Sequence, residues 1–274
     1  MHIEQIKKNK TFEGETCFYK HSSAATKTDM SFSTFEPEGQ INSAIIWLSG
    51  LTCTEENFIT KSGIQKLLSG TKTMVICPDT SPRGLELDQE HESYDFGSGA
   101  GFYLNATTPG YRDHYNMYDY ISVDLIQILK SHFKVEKISI MGHSMGGHGA
   151  LVLGLNEVDL FSSVSAFSPI VNPSECAWGR KAFKGYLGQD SSEKYDATNL
   201  IRNKLSRKDK ILIDQGLSDE FLEKELLTER FVQACKESEQ ELQVNYREGY
   251  DHSYFFISTF LEDHVTHHLN ILNR

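Results

Sequence analysis

The sequence predicts an α/β fold with a mostly parallel central sheet flanked by helices, and with antiparallel strands at its N-terminal edge. Short apolar, β-branched or aromatic runs alternate along the chain with stretches whose apolar residues recur at helical spacing. Of the 274 residues, 39% are hydrophobic and 11% aromatic, which is ordinary globular usage. Because α/β folds of this length often form one unit, we expect residues 1–274 to be a single domain.

Two short alternating stretches, residues 16–19 and 30–35, are typical of antiparallel edge strands. Six later runs have the composition of strands buried on both faces: residues 44–48, 73–77, 138–141, 164–167, 211–213 and 242–246. Helical spacing is clearest in residues 118–129, 221–235 and 257–272. Residues 78–115 have no periodicity and hold several Gly and Pro, so we expect an ordered loop that covers the active end of the sheet.

The charge and cysteine content exclude several classes of protein. There are 38 acidic and 27 basic side chains, and the formal net charge of −11 argues against nucleic-acid binding and against an anionic membrane surface. The five cysteines are widely spaced and odd in number, which indicates a reducing compartment. No apolar run approaches the roughly 20 residues that cross a bilayer, and the first ten residues do not resemble a signal peptide. We therefore expect a cytoplasmic protein.

The most informative segment is Gly-His-Ser-Met-Gly at residues 142–146, directly after a strand pattern and before a helical one. A serine at the tip of such a turn has strained backbone dihedrals, and small residues two positions away let strand and helix approach. Gly142 and Gly146 meet that need. Ser144 is therefore predicted to be a nucleophile, with the N-terminus of the following helix directed at developing negative charge.

A serine nucleophile needs a base and an acid, which follow it in the order Ser, acid, His in this type of fold. Asp219 lies in the loop after the strand at 211–213 and is the predicted acid, although it could be a simple helix cap. Asp214, at the end of that strand, is the alternative acid. His252 lies in a Gly- and Asp-containing turn before the terminal helix and is the predicted base.

The other histidines near these motifs are not assigned to the reaction. His143 and His148 flank the predicted nucleophile, but their positions on the turn and helix direct them elsewhere, so they are assigned to packing or to supporting the site. His264, His267 and His268 have helical spacing that could suit a metal, yet no acidic or cysteine cluster accompanies them, so a mixed and partly solvated helix face is favoured.

An oxyanion hole should use the backbone N–H of the residue after the nucleophile, Met145, and one from the loop after an early strand. Gly50 lets that loop turn, which makes the N–H of Leu51 the best second donor. No Walker sequence, zinc spacing or calcium loop is present, so neither a cofactor nor a metal is expected.

At these motifs the sequence resembles the S-formylglutathione hydrolase (esterase D) family of the α/β-hydrolase fold. The matching stretches run nearly end to end and in order: residues 48–54, 79–84, 95–103, 142–150 and 251–256. The resemblance implies hydrolysis of S-formylglutathione to formate and glutathione, the second step of glutathione-dependent formaldehyde detoxification. It also implies activity on small esters and a homodimer. Tyr94 stands where many relatives have Trp, which should affect pocket shape more than mechanism.

The resemblance also places Cys53 near the active site, where its modification would obstruct the pocket, although it is equally well explained as a small buried hydrophobic residue. Glutathione is anionic while the chain carries −11, so local cations must compensate. The candidates by sequence position are Arg83, Arg112, Arg180 and Lys181. Two further functions stay open: a general short-chain carboxylesterase and a non-catalytic binding module on the same fold.

Overall fold

The computed structural model describes residues 2–274, which contain a nine-stranded sheet in the order β1-β2-β3-β5-β4-β6-β7-β8-β9. The strands are β1 (Ile3–Lys10), β2 (Gly14–Ser22), β3 (Asp29–Pro37), β4 (Ser43–Leu48), β5 (Thr73–Pro78), β6 (Lys137–His143), β7 (Val164–Phe167), β8 (Ile211–Gly216) and β9 (Leu242–Arg247). Strands β1 to β3 pair antiparallel with one another, and β3 pairs antiparallel with β5. From β5 onward every neighbouring pair is parallel. The predicted fold class is confirmed.

All eight predicted strands are present, and β7 has the predicted bounds. The first strand, β1, was not predicted. Seven of its eight residues are exposed, so it has no alternation of apolar and polar residues to indicate a strand. Its position depends on backbone pairing with β2, and its lysines protect an exposed edge from pairing with other chains.

Helices cover both faces of the sheet. They are α1 (Glu55–Lys61), α2 (Ile64–Leu68), α3 (Met117–Asp119), α4 (Ile126–Ser131), α5 (Met145–Asn156), α6 (Ala177–Leu187), α7 (Ala197–Arg202), α8 (Thr228–Ser238) and α9 (Tyr254–Leu272). Short 3₁₀ turns occupy Pro173–Glu175 and Glu193–Tyr195. None of these helices, in residues 2–274, has both the length and the apolar content that a membrane span needs.

Two predicted helices are more irregular than their spacing indicates. The region predicted at 118–129 is α3 and α4 joined by a π-helical stretch, Tyr120–Leu125. The region predicted at 221–235 begins with another π-helical turn, Leu222–Leu226, and α8 starts only at Thr228. Leu227 between them has a left-handed backbone, with φ of 58°, which ends the first turn before α8 can begin.

The sheet separates two apolar cores. One core lies under α1, α2 and α9 and includes Trp47 stacked on Phe58, with ring centroids 3.7 Å apart. The larger core lies on the opposite face and includes α5, whose residues 145–155 are all buried. Because α5 starts directly after β6, burying this helix fixes the position of the turn at Ser144.

The inner face of α9 differs from the predicted solvated face. His264 and His268 are fully buried, and both contact the Ser165 hydroxyl of β7 at 2.8 Å. Only His267 is partly exposed. His264 and His268 are polar core residues that satisfy serine hydroxyls. Within residues 2–274 no group of three or more His, Cys, Asp or Glu side chains is arranged to hold a metal ion.

Candidate active site

Ser144 occupies the strained turn that the sequence predicts. It joins β6 to α5, and its φ of 57° and ψ of −119° are unusual for a residue with a side chain. The turn is held by hydrogen bonds from the Ser144 N–H to the Phe167 carbonyl (3.0 Å) and from the Ile170 N–H to the Ser144 carbonyl (3.2 Å). Hydrogen bonds to β7 and to the segment that follows it thus hold Ser144 in its strained backbone conformation.

The two glycines of the motif are required by close backbone contact. A methyl group on Gly146 would overlap the carbonyl of Leu48 at the end of β4, and one on Gly142 would overlap the carbonyl of Gly146. Neither overlap involves a flexible side chain, so neither could relax without moving the sheet. The sequence prediction that these positions must be small is consistent with this geometry.

His252 and Asp219 are brought together although they are 33 residues apart in the chain. His252 Nδ1 lies 2.6 Å from Asp219 Oδ2, and the aspartate side chain is fully buried. The other oxygen of Asp219 accepts the N–H of Phe221 at 3.0 Å. Both carboxylate oxygens therefore have partners, and Nε2 is the imidazole nitrogen left for other chemistry.

The alternative acid, Asp214, is directed away from His252. It accepts hydrogen bonds from Asn245 Nδ2 (2.7 Å) and Arg247 Nε (2.6 Å), and His264 lies 3.5 Å from it. Strand β8 continues to Gly216, which places Asp214 inside the sheet instead of at its carboxyl end. Asp214 is a buried structural carboxylate on the α9 side.

Ser144 and His252 line one cavity of about 280 Å³, here called the Ser144 cavity. Its remaining walls come from the turn after β4, from the loop between β5 and α3, from the end of β6, from α6 and from the regions around the acid and the base: Gly50, Leu51, Thr52, Cys53, Tyr94, His143, Trp178, Phe221, Ser253 and Tyr254. Hollows of about 430 and 610 Å³ elsewhere on the surface do not contain Ser144 or His252. No Lys, Arg, Asp or Glu side chain lines the Ser144 cavity.

Tyr94, Trp178 and Phe221 form an aromatic wall of the cavity, and of these three only Tyr94 was expected, from the family resemblance, to affect pocket shape. The Trp178 indole N–H donates to the Tyr94 hydroxyl at 3.1 Å, and Trp178 packs on Phe221, which in turn packs on the His252 ring. Phe221 could have been found, because it lies two residues after the predicted acid. Trp178 had no such signal, since α6 brings it to the cavity from a separate part of the chain.

His143 differs from its predicted placement. It was expected to point away, but it lines the cavity, and its ring centroid lies 4.3 Å from that of His252. Burial, followed by the neighbouring His252, holds the pKa of His143 well below its usual value, so it is neutral at pH 7. His148 does point away, with its Nε2 3.0 Å from the carbonyl of Phe102.

The turn after β4 lines the cavity and leaves the backbone N–H groups of Gly50 and Leu51 without an acceptor among the hydrogen bonds of residues 2–274. The Thr52 N–H donates to the Gly99 carbonyl (2.9 Å) and the Cys53 N–H to that of Gly50 (3.3 Å). Among the hydrogen bonds of residues 2–274, the N–H of Leu51 has no acceptor. Met145, the other predicted donor, is the first residue of α5, where an N–H has no partner within the helix.

The predicted loop between β5 and α3 supports this turn. Gly99 belongs to it, and the hydroxyl of Tyr103, from the same loop, donates to the Ser49 carbonyl at 2.9 Å. Cys53 lies at the end of the turn and lines the cavity, and burial raises the pKa of its thiol. The loop therefore covers the carboxyl end of β4, as the sequence analysis expects.

Three of the four candidate cations already have carboxylate partners. Arg83 binds Asp79 (2.6 Å) and the Cys53 carbonyl, so it holds the turn after β4. Arg180 pairs with Glu175 at 3.1 Å and Lys181 with Asp95 at 2.6 Å. Arg112 is exposed and does not line the cavity.

Buried serine–histidine contacts also occur away from the cavity, and in one of them Ser163 Oγ lies 2.8 Å from His268 Nδ1. Both residues are fully buried and neither lines the Ser144 cavity. The Ser163 hydroxyl also contacts Ser139 at 2.7 Å. This pair lacks the access that a substrate would need.

The fold and the site define an α/β-hydrolase. A strand-turn-helix serine, an Asp–His pair and a free backbone donor surround one cavity at the carboxyl end of a mostly parallel sheet. Comparison with known proteins agrees with this class. Residues 23–267 match the model of the family described as "Putative esterase".

The chain is also similar to individual members of that family. It is 48% identical over 281 residues to S-formylglutathione hydrolase of Rattus norvegicus, covering 100% of both chains. It is 47% identical to that of Arabidopsis thaliana, covering 98% of each. The structure of an S-formylglutathione hydrolase from Agrobacterium tumefaciens matches with a TM-score of 0.95 and 39% identity, over 98% of this chain and 99% of that one. The chain belongs to the S-formylglutathione hydrolases of this esterase family.

Proposed function

We propose that this chain hydrolyses the thioester S-formylglutathione to formate and glutathione, and that Ser144, His252 and Asp219 carry the reaction. The observation that supports this best is the 2.6 Å contact between Asp219 and His252 beside a cavity that also contains Ser144. The names of the full-length relatives support the substrate. No cofactor is needed, because thioester hydrolysis requires only a nucleophile, a base and an oxyanion hole.

In the first half of the reaction, Ser144 Oγ attacks the formyl carbonyl and its proton passes to His252 Nε2. Asp219 holds the imidazole in the tautomer that has Nδ1 protonated, and it stabilises the imidazolium that forms. The N–H groups of Met145 and Leu51 donate to the oxyanion of the tetrahedral intermediate. Collapse of this intermediate breaks the C–S bond, and the imidazolium gives its proton to the departing glutathione thiolate.

In the second half, water attacks the formyl ester on Ser144 and gives a proton to His252. The second tetrahedral intermediate uses the same two N–H donors. Its collapse breaks the ester bond and returns the proton to Ser144 Oγ, and formate leaves. The neutral His143 beside His252 adds no positive charge to the site, so formation of the imidazolium is not opposed by a charged neighbour.

The test is a comparison of Ser144→Ala with Ser163→Ala, which removes the hydroxyl of the buried Ser–His contact. Ser144→Ala should lose nearly all turnover of S-formylglutathione and leave only about 10³–10⁴-fold acceleration over water. Ser163→Ala should keep its kcat. A fluorophosphonate should add to wild type and to Ser163→Ala in an intact-mass spectrum, and not to Ser144→Ala. Wild-type turnover by Ser144→Ala, or a wild-type protein without an adduct, would refute the hydrolase mechanism.

A second function, general short-chain carboxylesterase activity, is favoured by the neutral lining of the Ser144 cavity. Uncharged esters could bind such a surface without desolvating a charge. Relative turnover of S-formylglutathione, S-acetylglutathione and a nitrophenyl ester distinguishes the two functions. A preference for S-formylglutathione supports the dedicated thioesterase, and equal turnover of all three supports the general esterase.

We further propose a cytoplasmic location and a homodimer. All five cysteines are free, which is consistent with a reducing compartment. The homodimer is proposed from the family resemblance. Light scattering should then give twice the 31.1 kDa of one chain, and a mass of one chain at micromolar concentration would refute the dimer.

A further inference from the structure

Lys61 is the cation best placed to meet a charged substrate at the Ser144 cavity. It is the last residue of α1, the helix that begins directly after the turn that follows β4 and carries Leu51, here called the Leu51 turn. Its Nζ lies over the ring of Tyr254, 5.2 Å from the centroid, and Tyr254 lines the cavity. The positive charge of Lys61 is also the strongest influence opposing the burial that raises the pKa of Cys53. Lys61 is therefore close to two of the cavity walls.

The position of Lys61 follows from the local sequence. Thr54 caps α1, and Asn57 returns a hydrogen bond to the Thr54 N–H at 2.9 Å, so the helix starts at a defined residue. Seven residues span about 10 Å. Side chains of a helix lean back towards its N-terminus, which carries the Lys61 ammonium towards the Leu51 turn.

Lys61 differs from the other cations near the site because its charge is not neutralised. The residues three and four positions before it on α1, where an ion pair would form, are the neutral Phe58 and Asn57, and the first two residues of α2, Ile64 and Gln65, are neutral as well. In the described part of the chain, no carboxylate forms a salt bridge with Lys61, whereas Arg83, Arg180 and Lys181 each have one. Lys61 is also exposed, so a ligand can reach it.

We propose that Lys61 binds a carboxylate of the thiol part of the substrate, and so gives the enzyme a preference for anionic thioesters. This inference rests on the proposed hydrolysis of S-formylglutathione. Extended, the Cys-Gly part of glutathione spans about 7 Å, which suits a carbonyl held at the Leu51 turn and a terminal carboxylate near Lys61. A contact between Lys61 and a substrate carboxylate also explains how a chain of net charge −11 binds an anion in a cavity without a charged wall.

The experiment compares Lys61→Gln with Lys66→Gln, a control that removes the same charge from an exposed lysine of α2 outside the cavity. Each is assayed with S-formylglutathione and with neutral p-nitrophenyl acetate at low ionic strength. Lys61→Gln should lose about two- to fivefold in kcat/KM for S-formylglutathione, the range of an exposed ion pair, and the loss should lie in KM. Turnover of p-nitrophenyl acetate should not change. Lys61→Glu should lose more, and 1 M salt should remove the differences, because the screening length is then about 3 Å.

Three results would overturn the inference while the hydrolase activity stands: unchanged KM for S-formylglutathione in Lys61→Gln, an equal loss with the neutral ester, or an equal loss in Lys66→Gln. The first excludes contact with the substrate, the second indicates a structural role, and the third indicates an effect of net charge. If wild type cleaves p-nitrophenyl acetate but not S-formylglutathione, the proposed function itself is wrong, and the inference about Lys61 is rejected with it.

Discussion

Replacing Asp219 by Asn tests which of two aspartates serves His252. In the wild type, Asp219 Oδ2 accepts the Nδ1 proton of His252 at 2.6 Å. An amide in that place can present an N–H group instead, which favours the tautomer with the proton on Nε2. That tautomer cannot take the proton of Ser144. The backbone contact to Phe221 at 3.0 Å can be kept by the amide oxygen, so the fold should change little.

The expected loss in kcat is about 10⁴-fold, the effect of this substitution in a Ser-His-Asp triad. It corresponds to about 5.4 kcal/mol of activation free energy, at 1.36 kcal/mol for each factor of ten. A cap residue alone would behave differently. Asn is as good a helix cap as Asp, so a capping role predicts activity close to wild type.

Asp214→Asn is the matched control. Asp214 contacts Arg247, Asn245 and His264, and none of these lines the Ser144 cavity. The substitution should lower the free energy of unfolding by about 1–3 kcal/mol, because buried donors lose a charged acceptor. Turnover per folded molecule should stay within a few-fold of wild type.

The assay is kcat for S-formylglutathione and p-nitrophenyl acetate at 25 °C, with the folded fraction of each variant measured by circular dichroism and urea unfolding. A folded Asp219→Asn enzyme within tenfold of wild type would refute the assignment of the acid. So would a 10³-fold loss in a folded Asp214→Asn enzyme, which would transfer the role to Asp214.

Two further predictions concern Cys53 and the buried histidines. Modification of the Cys53 thiol should obstruct the Ser144 cavity, so a bulky maleimide should inhibit wild type but not Cys53→Ser in the nitrophenyl ester assay; equal inhibition of both would exclude Cys53. Burial lowers the pKa of His148 to about 4. His148 is neutral in the folded state, whereas in the unfolded chain its imidazole becomes protonated near pH 6.5. Its contribution to folding stability is therefore complete above pH 6.5 and is lost as the pH falls towards 4. From this residue, the free energy of unfolding in urea should be about 2 kcal/mol lower at pH 5 than at pH 8. The substitution His148→Gln should reduce this difference. Equal pH profiles of the two proteins would contradict the prediction.

The turns that carry Ser144 and His252 could be predicted because the conformation of each depends on local sequence. Ser144 lies between two glycines that backbone contact requires, and His252 lies in a short turn before a long amphipathic helix. Such turns follow strands, and parallel strands end at the same edge of a sheet. Residues far apart in the sequence are therefore brought to one place by topology, which the strand pattern already indicates.

The walls of the cavity depend on tertiary packing, and the sequence does not indicate them. Trp178 reaches the cavity because α6 brings it against Phe221 and Tyr94, and no motif precedes it. His143 was assigned to packing or to supporting the site because its position on the turn was expected to direct it elsewhere, and a turn has no periodicity from which to read that direction. The structure places its ring against His252. The exposed strand β1 was missed for a related reason, since it is placed by backbone pairing with β2 and its mostly exposed side chains carry no strand pattern.

The cations near the site show most clearly what the sequence alone does not predict. Net charge and the positions of Lys and Arg can be counted in the sequence, but whether a cation is free depends on which carboxylates fold next to it. Arg83 was a candidate for substrate binding by its position in the sequence. Its guanidinium is instead used by Asp79 and by the carbonyl of Cys53. Lys61, in a helix without any motif, has no carboxylate partner among the described residues, because Asn57 and Phe58, the residues one helical turn before it, are neutral. We therefore expect selectivity for an anionic thioester, in a cavity with neutral walls, to depend on Lys61, because this lysine has no carboxylate partner among the described residues and can bind the substrate.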